Sequence, residues 1–98
     1  MTADKITCET PTPGKKPTRI PRWKYEAVRS AILGIVPARG RGVPFGELPR
    51  LVAKRLSDDE RDRLGSVGWH TTTVKLHLEV LGEIRRMPGV SPQRLLRG

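Results

Sequence analysis

The sequence has few of the features that mark secreted, disulfide-stabilised or membrane proteins. Its one cysteine, Cys8, cannot form a disulfide within the chain, which fits a reducing compartment. No apolar run approaches the length of about 18 residues that a transmembrane helix needs. The N-terminus also lacks the apolar stretch of a secretory signal. We therefore expect a cytoplasmic protein with no membrane partner.

Acidic residues are also scarce. The chain has 10 Asp and Glu residues against 19 Lys and Arg residues, which gives a net charge of +9 over 98 residues. Excess positive charge attracts polyanions and is typical of nucleic-acid-binding domains. The same charge also raises solubility, so composition favours nucleic acid as a partner without establishing it.

The first 22 residues differ in composition from the rest of the chain. Four prolines fall between positions 11 and 21, together with several threonines and lysines. Such a segment can neither sustain a helix nor bury much apolar surface. We predict a disordered basic tail over residues 1–22, followed by one domain over residues 23–98, a size that fits a single core.

Apolar residues at steps of three and four predict three helices in that domain. They run from Trp23 to Val36, from Glu47 to Leu56 and from Trp69 to Leu81. Gly82 follows the third helix, at the position where a left-handed residue commonly ends one. Between the second and third helices, a capping-box pair predicts a short helical turn that closes at a glycine: Ser57, Glu60, Gly65.

Short strands complete the predicted architecture. Val43–Phe45 is long enough for one edge strand, and Glu83–Met87 and Gln93–Arg97 are predicted to form a β-hairpin. Ile84 and Leu95 are its expected inward residues. The order of elements predicts a mainly α protein with a small β-hairpin, of winged helix-turn-helix type.

The third predicted helix and the hairpin together suggest a DNA-binding surface. Trp69 falls in an apolar patch and is interpreted as a core anchor, which leaves an exposed arc with Thr71, Thr72, Lys75 and Glu79. We expect the first three to reach bases or phosphates in a major groove. Hairpin arginines would grip flanking phosphates, and two more after the first helix would add contacts if the fold brings them close: Arg85, Arg86, Arg94, Arg97; Arg39, Arg41.

Base-reading side chains are scarce in this helix. It contains no Arg, Asn or Gln, the residues that form bidentate contacts with bases. We therefore expect binding to DNA, with RNA as an alternative, that is dominated by phosphates and weakly sequence-selective. A second hypothesis is a protein-interaction or dimerisation module of the same fold, which would take an acidic protein partner or form a homodimer.

The chain resembles a family of small bacterial proteins of unknown function. The resemblance covers roughly residues 23–97 and lies in Lys24–Glu26, Trp69, Val74–Glu79 and Pro92–Leu95. It implies a winged-helix-like fold and assigns no catalytic or binding residues. Leu56–Glu60 is similar to a stretch in the N-terminal winged-helix segments of some restriction enzymes, which favours DNA as a partner.

No arrangement of residues predicts catalysis or a cofactor. The carboxylates Asp58, Asp59, Glu60 and Asp62 lie beside Arg61 and Arg63 in a capping segment, which is typical of a solvated turn rather than an acid–base pair. His70 and His77 lack the spacing of a zinc site. Gly40, Gly42 and Gly46 do not match a phosphate-binding loop, because no Gly-Lys-Ser/Thr follows them. We expect a non-enzymatic protein with no cofactor and no metal.

Overall fold

The computed structural model describes residues 4–98, which form four helices and two small antiparallel sheets. The elements in chain order are β1 (Lys5–Cys8), β2 (Thr18–Pro21), α1 (Arg22–Ile35), β3 (Val43–Pro44), α2 (Leu48–Arg55), α3 (Asp58–Leu64), α4 (Val67–Leu81), β4 (Ile84–Arg86) and β5 (Arg94–Arg97). A turn of 3-10 helix at Phe45–Glu47 leads into α2. Within these residues, the helices are too short or too polar to cross a membrane.

The helix ends follow the predicted capping signals. Ser57 accepts a hydrogen bond from the amide of Glu60, whose carboxylate in turn accepts from the Ser57 amide, so the capping box that begins α3 is confirmed. Ser66 caps α4, which therefore begins two residues before the predicted start. Gly82 ends α4 in the left-handed conformation, with φ of 77°, as predicted.

The C-terminal strands form a three-stranded sheet with the segment that follows α1. The strand order in this sheet is β3-β5-β4. The central strand is therefore β5, which comes last in the chain and pairs with both β3 and β4. Val43 lies opposite Leu95, and Ile84 lies opposite Arg97. Ile84 and Leu95 are buried in the core, which confirms the predicted inward face of the hairpin.

The N-terminal segment differs from the prediction of a disordered tail. β1 and β2 pair as an antiparallel hairpin in which Ile6 lies opposite Ile20. Cys8 and Ile20 are buried against the helices, which provides the apolar contact that holds the hairpin in place. The prediction of disorder is therefore wrong for both strands, while residues 1–3 of the predicted tail lie outside the described residues.

Helix α4 lies at the centre of the molecule. It packs against α1, α2 and α3 and also contacts β1 and β4. Val74 and Leu78 of α4 are fully buried and meet the apolar face of α1, from which Val28 and Ile32 enter the core. α4 therefore has one long side in the core and a narrower side open to partners.

Candidate nucleic-acid interface

The predicted reading face of α4 is buried. Thr71 is completely inaccessible, Lys75 is 1% exposed and Thr72 is half-buried. The 3-10 turn and α2 cover this side of the helix, and Lys75 Nζ lies 4.5 Å from the centre of the Phe45 ring. The prediction that Thr71 and Lys75 are exposed to a groove is therefore wrong, because a segment about 30 residues earlier in the chain packs over them.

Lys75 takes part in a buried ion pair. Its ammonium lies 3.0 Å from one carboxylate oxygen of Glu79, one helical turn further along α4. The pKa of Lys75 is lowered overall, because the effect of burial is larger than the opposing effect of Glu79, which raises it. The other carboxylate oxygen of Glu79 accepts a hydrogen bond from Arg86 Nε at 2.6 Å. Glu79 therefore links the interior of the protein to the surface of β4.

The predicted hairpin arginines do lie at the surface. Arg85, Arg86 and Arg97 are exposed, and Arg94 is partly buried. Directly opposed residues of an antiparallel pair share a face of the sheet, so Arg86 shares its face with Leu95 and Arg85 shares its face with Leu96. Arg85 and Arg94 are consequently on one face of the sheet, whereas Arg86 and Arg97 are on the other face, with Leu95.

The loop after α1 contributes to the same region. Arg94 donates to the backbone carbonyls of Arg41 and Gly42, at 2.6 and 3.3 Å, and the amide of Arg97 donates to the carbonyl of Pro37. The loop is thereby held beside β5, and the exposed Arg39 and Arg41 lie near the sheet. Six arginines thus lie on the two faces of the sheet and on the adjoining loop, and we call this set the arginine surface: Arg39, Arg41, Arg85, Arg86, Arg94, Arg97.

The open side of α4 is apolar. Trp69 is 48% exposed and Val80 is 40% exposed, with Thr72 and Leu76 partly exposed between them. At 3.6 residues per turn, Trp69 points opposite to the buried Leu78. The interpretation of Trp69 as a core anchor is therefore wrong, and the outer face of α4 has no cation among these residues.

Both histidines of the chain are buried in supporting roles. His70 Nδ1 lies 2.7 Å from the carbonyl of Ser66, and burial lowers the pKa of this imidazole. His77 Nδ1 accepts a hydrogen bond from the amide of Glu9, and its ring meets that of Tyr25 edge to face. His77 thus fastens the end of β1 to α4.

Fold and surface define a small basic α/β domain with arginines on and around a three-stranded sheet. The chain belongs to DUF6958, a family of unknown function, whose model matches residues 5–95. The match includes both strands of the N-terminal hairpin, which the sequence resemblance over residues 23–97 left out. No curated protein and no solved structure matches the chain.

Proposed function

We propose that the protein is a nucleic-acid-binding domain of winged-helix type that contacts the phosphates of duplex DNA through the arginine surface. The order of α1, β3, α2, α3, α4, β4 and β5 supports this fold. So does the sheet order β3-β5-β4, in which a hairpin follows the central helix and its last strand returns beside the first.

The observation that carries the proposal is the concentration of unneutralised positive charge on this sheet and its adjoining loop. Among the described residues, Arg86 is the one member of the arginine surface in an ion pair. The nearby carboxylate of Glu83 pairs with Arg29 of α1 instead. Guanidinium groups suit phosphate oxygens because their planar donors can form two parallel hydrogen bonds.

The same geometry argues against base readout by α4. Lys75 and Thr71 cannot reach a groove from their buried positions, and Thr72 alone of the three predicted readers is partly exposed. Contacts confined to phosphates position a protein on DNA but carry no sequence information directly. Binding is therefore expected to depend on charge, with little selectivity among DNA sequences.

A salt series tests this function. The affinity of the full-length protein for a mixed-sequence duplex, measured by fluorescence anisotropy, falls with a log–log slope of about −0.9 per phosphate neutralised. Replacing Arg85 and Arg97 together by alanine weakens binding and reduces the magnitude of that slope by about 1.8. Both side chains are exposed and outside the core, so the fold is retained.

The matched control replaces two exposed arginines distant in the sequence from the arginine surface, Arg19 of β2 and Arg63 of α3. It removes the same charge and is expected to leave most of the slope in place. Equal losses in the two double variants would show that net charge alone attracts DNA. Absence of binding by the wild-type protein at low salt would refute a DNA-binding function.

A further inference from the structure

The outer face of α4 forms one wall of a groove whose other wall is the loop of the N-terminal hairpin. A cleft of about 160 Å³ lies between them, where Thr73 and Leu76 face Lys15, Lys16 and neighbouring loop residues. A second cleft of about 200 Å³ continues past Val80 and is also lined by Lys15. The groove therefore has an apolar wall on the helix and a basic rim on the loop.

From this arrangement we infer that the groove between α4 and the hairpin loop binds an acidic amphipathic helix of a partner protein. This is a second function, on a surface separate from the arginine surface. The exposed apolar residues span Trp69 to Val80, about three helical turns. That length matches the i, i+4, i+7 anchors with which a helix occupies a hydrophobic groove.

Charge complementarity identifies the partner as acidic. Lys15 and Lys16 are exposed at the rim, and among the described residues neither forms an ion pair. Glu9 lines the same clefts and offsets one of the two charges. The remaining positive charge at the rim favours a bound helix with carboxylates along its flank. Those carboxylates steer association and fix the orientation of the helix.

Two other occupants fit this groove less well. The exposed Val80 and the partly exposed Leu76 gain nothing from a phosphate backbone, whereas a protein helix would bury them. A second copy of the chain would bring another net charge of +9 against the first. An acidic helix satisfies both the apolar wall and the basic rim.

Selection from a displayed library of random 16-residue peptides tests the inference with the full-length protein. We expect the recovered peptides to be acidic and to share an apolar stripe at helical spacing. Leu76→Ser together with Val80→Ser, which removes the apolar lining of both clefts, should weaken a recovered peptide at least about tenfold. Trp69→Ala, at the end of the apolar stretch, should weaken it as well. Lys15→Glu with Lys16→Glu should weaken it mainly at low salt.

Trp69 supplies a direct signal in a Trp23→Phe background. Its half-exposed indole is expected to shift its emission to the blue when a tryptophan-free acidic peptide covers it. The control variant Arg85→Ala with Arg97→Ala should bind the peptide like the wild type while losing DNA affinity. This control separates failure of the groove from failure of the DNA-binding function.

Three outcomes would overturn the inference. One is recovery of no peptides, or of peptides without acidic and apolar character. Another is loss of duplex DNA affinity in Trp69→Ala with fold retained, which would assign the α4 face to nucleic acid. The third is a wild-type dimer in light scattering that Trp69→Ala dissociates, which would make a second copy the occupant.

Discussion

A substitution at Thr71 can test whether this residue of α4 is part of the protein core or contacts DNA. The side chain is inaccessible, and among residues 4–98 its hydroxyl has no hydrogen-bond partner. An unpaired buried hydroxyl is costly, and valine has nearly the same shape without it. Thr71→Val is therefore expected to raise the free energy of unfolding by about 1 kcal/mol in urea titrations and to leave DNA affinity unchanged.

The half-buried Thr72 serves as the control, since Thr72→Val should change stability by less than about 0.5 kcal/mol. If Thr71→Val lowered stability, the hydroxyl would have to be hydrogen-bonded in solution, for example to a buried water. If Thr71→Val reduced DNA affinity while the fold was retained, Thr71 would contact DNA as the sequence predicted.

Lys75 shows what a helical pattern cannot reveal. A lysine in a helix is ordinarily exposed, and periodicity assigns it to the solvent side. Its burial depends on Glu79, which neutralises the ammonium, and on Phe45, whose ring covers it. Glu79 could be paired with Lys75 from their spacing along the chain. The position of Phe45 depends on tertiary packing, and no local signal predicts it.

The N-terminal hairpin makes a distinct prediction at the scale of an element. Ile20 of β2 is 2% exposed and packs into the core. Ile20→Ala is therefore expected to lower the free energy of unfolding by about 2–4 kcal/mol, as large-to-small core substitutions do. Val90→Ala, at an exposed turn residue, is the matched control and should change stability by less than about 0.5 kcal/mol. If Ile20→Ala had no more effect than the control, residues 5–21 would be a tail in solution.

Local signals predicted some elements and missed this hairpin for physical reasons. The capping box at Ser57 and the glycine after α4 involve residues close in sequence, so spacing alone predicts them. The strands β1 and β2 are four residues long and gain their stability from contacts with α1 and α4. Ile6 and Cys8 do alternate with polar residues, but so short a pattern is outweighed by the nearby prolines.

At the scale of the whole molecule, the two proposed surfaces depend on the central position of α4. The buried side of this helix organises the core, and its C-terminal end leads directly through Gly82 into β4. Glu79 connects that helix to Arg86 on the arginine surface. The sequence predicted the order of these elements and the surface position of the hairpin arginines. It could not predict which side of α4 stays open, because the polar Thr71 and Lys75 are buried whereas the apolar Trp69 and Val80 are exposed.

The net charge of +9 leads to a prediction about folding itself. Ion pairs such as Arg63–Asp59 and Arg50–Glu47 lie at the surface, where each contributes about 0–1 kcal/mol. Unpaired cations repel one another over longer distances, and salt screens long-range repulsion more effectively than close pairs. Raising NaCl from about 0.05 to 0.5 M is therefore expected to raise the Tm by several degrees, the shift that about 1 kcal/mol produces in a domain of this size.

Lys15→Glu with Lys16→Glu lowers the net charge to about +5 and should reduce the shift. A Tm that falls with salt would mean that the ion pairs outweigh the repulsion. If the Tm instead rises with salt while DNA affinity falls, the same excess positive charge favours the nucleic-acid partner and destabilises the fold.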